Sequence, residues 1–168
     1  KKEALLVDSA KITGAPETVS EEEKSRRERM RIASQSGIVE YNFSTDGQQL
    51  LFPLSGSLYL YNLKTTRVQT LTDVKDGPVS DPKFSPKGKF VSFVRAGNLY
   101  VLELATKNLI ALSTDGGGTV AYGTAEFVAQ EEMSRFTGYW WAPDERYVAM
   151  QRYDEAKVPL AKRFEIYA

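Results

Sequence analysis

The chain has 168 residues, 22 Lys+Arg against 22 Asp+Glu, and 42% hydrophobic residues, the size and composition of one globular domain. Balanced charge argues against non-specific nucleic-acid or anionic-membrane binding, and no apolar run approaches the ~20 residues of a membrane span. Cysteine and histidine are both missing, which excludes disulfides, cysteine-ligated zinc and a complete Ser-His-Asp or Cys-His set within these residues.

Residues 4–8 (Ala-Leu-Leu-Val-Asp) read as a short strand closing on a turn, the end of a repeat unit that occupies 1–8. The opening residues lack the pattern of a signal peptide. Residues 12–20 carry Pro, Gly and Thr and read as loop. A charged helical insertion is expected within 16–36. Ser20 with Glu23 is a capping-box signature, and acids precede bases as the helix dipole favours. Glu22 with Arg26 and Glu23 with Arg27 are favourable i,i+4 pairs. Its basic residues read either as a solvated face or as the source of one side chain for a site.

From Gly37 the pattern changes to period two. Phe43-Ser44-Thr45-Asp46-Gly47 recurs as Phe84-Ser85-Pro86-Lys87-Gly88, Gly56-Ser57-Leu58-Tyr59-Leu60 as Gly97-Asn98-Leu99-Tyr100-Val101, and Leu71 as Leu112, each 41 residues on. A period near 40 with about four short strands per unit is the signature of propeller blades. The expected blades are 38–73 and 79–114, and a third copy starts at Trp141-Ala142-Pro143-Asp144-Glu145 within 137–168. The fold class is therefore all-β, a partial β-propeller of about three four-stranded blades with two short helical insertions. The chain is expected to be a fragment, because propellers close with four or more blades. Gly116-Gly117-Gly118 reads as a turn, residues 151–160 as a polar loop, and 146–150 and 164–167 as the final strands.

The second insertion, 125–136, breaks the repeat and carries Glu131 beside Glu132. Neighbours on a strand face opposite ways. On a helix they lie roughly 100° apart and both lean over one edge. Residues 130–135 contain no Gly or Pro, so a short helix is expected there. Adjacent carboxylates repel unless a cation sits between them. An ammonium suits the pair better than a metal, since calcium needs more oxygens than this stretch offers. A solvated helix face is the other reading these residues allow.

Phe127-Val128-Ala129-Gln130-Glu131-Glu132, then Arg135-Phe136-Thr137-Gly138-Tyr139-Trp140-Trp141-Ala142-Pro143, then Asp154-Glu155-Ala156-Lys157-Val158-Pro159-Leu160 together resemble the dipeptidyl peptidase IV family of prolyl-oligopeptidase-type serine exopeptidases. The charged helix is similar to that of bacterial members. The resemblance implies an eight-bladed propeller followed by a C-terminal α/β-hydrolase domain that carries the catalytic Ser, Asp and His, all absent from this chain. It implies peptide substrates with a free N-terminus, release of X-Pro or X-Ala dipeptides, no cofactor, and a homodimeric full-length enzyme. Glu131 and Glu132 would hold the substrate α-ammonium. Arg31, last in Arg27-Glu28-Arg29-Met30-Arg31-Ile32, would hold the carbonyl of the second residue, leaving Lys24, Arg26, Arg27 and Arg29 on the surface. No catalytic or metal-binding residue is expected here, nor a nucleic-acid partner. A bacterial periplasmic or secreted setting is expected. The competing reading is a non-enzymatic propeller scaffold for a protein partner. The opposite charges of the two insertions and the Glu-Glu to Trp-Trp wording favour the peptidase.

Overall fold

The structure is a computed structural model that describes residue 3, residues 5–159 and residue 161. The expected strand before Asp8 is not formed at the described positions. Asp8 instead accepts a hydrogen bond from the Ala10 amide and caps a short helix, α1 (Ser9–Thr13). Part of the stretch read as loop is therefore helical. A five-residue helix with one capping side chain leaves little periodic signal in a sequence.

Helix α2 (Glu21–Arg29) begins where the capping residue demands. Ser20 Oγ accepts the Glu23 amide, and three glutamates fill the first turn with three arginines toward the end. The helix stops at Met30 because Arg31 turns left-handed, φ 59°.

The 41-residue repeat folds as two four-stranded antiparallel meanders. The first holds β1 (Asn42–Phe43), β2 (Gln49–Leu54), β3 (Ser57–Asn62) and β4 (Arg67–Thr72). The second holds β5 (Val79–Phe84), β6 (Phe90–Arg95), β7 (Asn98–Glu103) and β8 (Leu109–Ala111). Matching turns make matching strands. Ser44 Oγ accepts the Gln49 amide and Ser85 Oγ accepts the Phe90 amide, both at 2.9 Å. The β2–β3 and β6–β7 hairpins turn on Ser55-Gly56 and Ala96-Gly97, all four at positive φ. That conformation matches strand twist, and glycine at the second position carries no Cβ penalty.

Four further strands, in two pairs, complete the described sheets. β9 (Val120–Tyr122) pairs with β12 (Arg152–Asp154), and β10 (Tyr139–Trp141) pairs with β11 (Val148–Met150). Residues 152–154, expected in a polar loop, are thus a strand. Their partner lies some 30 residues upstream, just after the glycine turn, so no local alternation announces it. The third unit reuses the blade turn. Glu145 takes the left-handed position (φ 64°) that Gly47 and Gly88 occupy at φ 67° and 72°. The expected strand at 164–167 lies outside the described residues.

Packing is blade against blade. Leu51, Leu58 and Leu60 of the first sheet meet Val79, Val91, Phe93 and Leu102 of the second. The far face of the first sheet buries Leu50, Phe52 and Leu54 under Val7, Ile12 and Ile38. Both faces of β2 and β6 are covered, so these strands read as apolar runs rather than strict alternation. Tyr139, fully buried, joins the second sheet to the third unit. Its hydroxyl donates to the Asp81 carbonyl at 2.5 Å, and burial pushes its pKa well up. Lys83 Nζ lies over the Tyr139 ring, 3.8 Å from the centroid, and bridges Asp81, Thr137 and the Tyr139 carbonyl. Antiparallel four-stranded sheets repeating at fixed spacing and stacked face to face make this an all-β fold, a partial β-propeller with helical insertions. Among the described residues no helix is long and apolar enough to cross a membrane.

Candidate functional site

Both insertions meet beside the ends of β5 and β6. Helix α3 (Phe127–Glu132) starts three residues earlier than expected and ends at Glu132. Ser134 turns left-handed at φ 50°, so residues 133–135 cannot continue the helix. Ala125 and Ala129 are fully buried and seat it. Gln130 Nε2 donates to the Ala125 carbonyl at 2.6 Å. Below the helix, Glu126 Oε2 accepts from Gln151 Nε2 at 2.5 Å and from Arg135 Nη2 at 3.2 Å. The Gln151 hydrogen bond is the main cause that holds the Glu126 carboxyl below its ordinary pKa, with Arg135 adding to it. Arg135 also donates to the Thr137 carbonyl and to Gln151 Oε1. This polar base fixes a six-residue helix that would not persist alone.

Glu131 and Glu132 therefore sit on the last turn of a supported helix, both exposed. Glu131 faces a basic partner from the other insertion. Arg29 Nε lies 3.8 Å from Glu131 Oε1, and Arg29 Nη1 donates to Gln130 Oε1 at 3.3 Å. Its guanidinium also lies 5.9 Å from the centre of the Phe127 ring. Arg31, two residues past Arg29 and beyond the end of α2, is exposed, with no ion pair among the described residues.

The remaining arginines of α2 correct the surface expectation. Arg27 is buried, and its guanidinium pairs with Glu17 at 2.6 Å and Glu23 at 2.8 Å. The hydrogen bond to Glu17 raises its pKa despite burial. Glu17 also accepts the Gly37 amide, so the pair ties the loops on both sides of α2 together. Arg26 does not use Glu22. It contacts Glu23 at 3.5 Å and Glu40 at 2.9 Å, with side chains 15% and 21% exposed for Arg26 and Glu40. Burial pushes the Glu40 carboxyl up from its ordinary range, with Arg26 opposing, and Glu40 Oε2 lacks an aligned hydrogen bond. Sequence spacing reveals the Glu23–Arg27 i,i+4 pair, whereas Glu17 and Glu40 come from loops outside the helix.

A cleft of ≈ 260 Å³ separates α2 and α3 from the ends of β5 and β6, lined among others by Arg26, Arg29, Asp81, Arg95, Gln130 and Tyr153. A larger hollow of ≈ 670 Å³ lies between α1 and α2, away from the acid pair, and its charged lining is the Arg27–Glu17 pair with Lys24 and Glu28. Among the described residues no three acidic side chains converge as metal ligands. Chemically, the α3 end offers two exposed carboxylates and one guanidinium, a set suited to an ammonium next to a polar carbonyl.

Comparison with known proteins identifies the family. The family described as "Dipeptidyl peptidase IV (DPP IV) N-terminal region" matches residues 36–168. A probable dipeptidyl-aminopeptidase B of Aspergillus niger is 35% identical over 109 residues, covering 62% of this chain and 12% of that protein. The corresponding protein of Trichophyton verrucosum is 34% identical with the same coverage. The crystal structure of Porphyromonas gingivalis dipeptidyl peptidase 4 superposes with TM-score 0.64 at 28% identity, over 79% of this chain and 20% of that one. The chain thus spans about 12% of the length of these curated relatives. It belongs to the family of dipeptidyl peptidase IV N-terminal regions.

Proposed function

We propose that this chain is the substrate-recognising propeller part of a serine dipeptidyl peptidase that removes X-Pro or X-Ala dipeptides from peptide N-termini. Glu131 and Glu132 hold the substrate α-ammonium. Pinning the amino terminus lets only the bond after the second residue reach a nucleophile in the following α/β-hydrolase domain, so the acid pair acts as a ruler. The observation that carries this reading is the pair of exposed carboxylates on one supported helix turn, with Arg29 against Glu131. Charge-assisted hydrogen bonds of this kind are strong and directional. An arginine of the first insertion holds the carbonyl of the second residue. Family resemblance points to Arg31, whose exposed side chain is available for it, whereas proximity to Glu131 favours Arg29. These residues alone carry no histidine and release no dipeptide. The full-length enzyme is a homodimer in a bacterial periplasmic or secreted setting.

The test uses the full-length protein with a Gly-Pro chromogen and its N-acetylated counterpart. Cleavage of the free form alone supports the ammonium gate. Equal cleavage of both refutes it. Glu131→Ala or Glu132→Ala is expected to lower kcat/KM by about two to three decades, since losing one partner of a charge pair that the bound substrate buries costs about 2–5 kcal/mol.

A further inference from the structure

Phe127 and Val128 precede Glu131 and Glu132 by one helical turn each, so α3 presents an apolar side chain beside each carboxylate on the same face. Both apolar side chains are exposed, 57% for Phe127 and 58% for Val128, whereas Ala129 on the inner side is fully buried. The helix thus turns its small residue inward and its bulky ones outward with the acids. Arg29 flanks them, 3.8 Å from Glu131 Oε1 and 5.9 Å from the Phe127 ring centre.

We infer that Phe127 and Val128 form an apolar wall for the side chain of the substrate's first residue, which makes α3 a specificity element as well as an anchor. The inference rests on the ammonium reading above. An α-ammonium held by the carboxylates fixes the first Cβ two covalent bonds away. Side chains one turn apart on a helix have Cβ atoms about 5–6 Å apart. A side chain of three or four carbons spans that gap, and glycine does not. The flanking charges supply the exclusion. A basic first residue meets the Arg29 guanidinium, and an acidic one meets Glu131 and Glu132. The wall therefore favours branched aliphatic and aromatic first residues over glycine and over charged ones.

The experiment measures kcat/KM of the full-length protein for Ile-Pro, Gly-Pro, Lys-Pro and acetyl-Ile-Pro chromogens, in the parent and in Phe127→Ala and Phe127→Leu. Ile-Pro is expected to exceed Gly-Pro by about tenfold, the size of discrimination an apolar contact supplies. Phe127→Ala is expected to bring that ratio to within about twofold, and Phe127→Leu to keep most of it. Because the readout is a ratio, a general loss of stability cancels. An unchanged Ile-Pro to Gly-Pro ratio in Phe127→Ala overturns the wall. So does an equal loss on both substrates, which would mean that Phe127 supports α3 or is covered by another part of the protein. Cleavage of acetyl-Ile-Pro as fast as free Ile-Pro overturns the ammonium reading itself, and that result is separate from the ratio.

Discussion

Replacing Arg26 by Met should loosen α2 in a pH-dependent way. Arg26 Nη2 contacts Glu40 Oε2 at 2.9 Å, and both side chains keep only 15% and 21% of their exposure. Breaking a fully buried pair costs about 3–5 kcal/mol, and an exposed one about 0–1. For a pair that is about one-fifth exposed, about 2–3 kcal/mol is appropriate at neutral pH. Burial already raises the Glu40 pKa above its ordinary 4.5, and Arg26 is the main force pulling it back. The folded state therefore holds this proton to a higher pH than the unfolded chain does. Stability from this group is fully present below pH 4.5 and falls as pH rises through the folded value. Removing Arg26 pushes the folded value higher still and makes the loss at neutral pH larger. Hydrogen–deuterium exchange of the α2 amides reads this locally. Amide opening in Arg26→Met should rise about 30- to 150-fold at pH 7, and the excess should shrink toward pH 4 after correction for intrinsic exchange. Glu40→Gln in the same background should restore most of the protection. Unchanged exchange in α2 of Arg26→Met, or an excess that grows toward acid, would refute the reasoning.

Four other outcomes follow from the same geometry. If proximity to Glu131 decides the carbonyl role, Arg29→Ala should lower kcat/KM of the full-length protein more than Arg31→Ala; the reverse order would assign that role to Arg31. Tyr139→Phe removes a buried hydroxyl that donates to the Asp81 carbonyl, and should cost about 1–3 kcal/mol in thermal unfolding. Gly88→Ala meets no heavy atom within 4 Å, so its expected cost of about 1–2 kcal/mol is backbone strain alone, and Gly88→Asn should recover much of it. Ser20→Ala deletes the cap on Glu23 and should cost about 1 kcal/mol, visible as faster exchange in the first turn of α2.

The sequence by itself determined the blades. Ser44 and Ser85 close their turns with their own hydroxyls, and Gly56 and Gly97 carry the left-handed hairpin corners. Such signals act within five residues and repeat at a fixed spacing, so the sheets, their order and the start of α2 could be read directly. Only the tertiary structure decided how the insertions meet. Arg29 and Gln130 lie 101 residues apart and touch because the fold brings both insertions to one cleft at the ends of β5 and β6. Nothing in the local pattern of Arg26, Arg27 and Arg29 separates the buried Arg27 and half-buried Arg26 from the one that reaches α3. That sorting depends on counter-charges, Glu17 and Glu40, that loops bring in from either side of the helix. The β9–β12 pairing was hidden for the same reason, since a three-residue strand takes its identity from its partner rather than from its own periodicity.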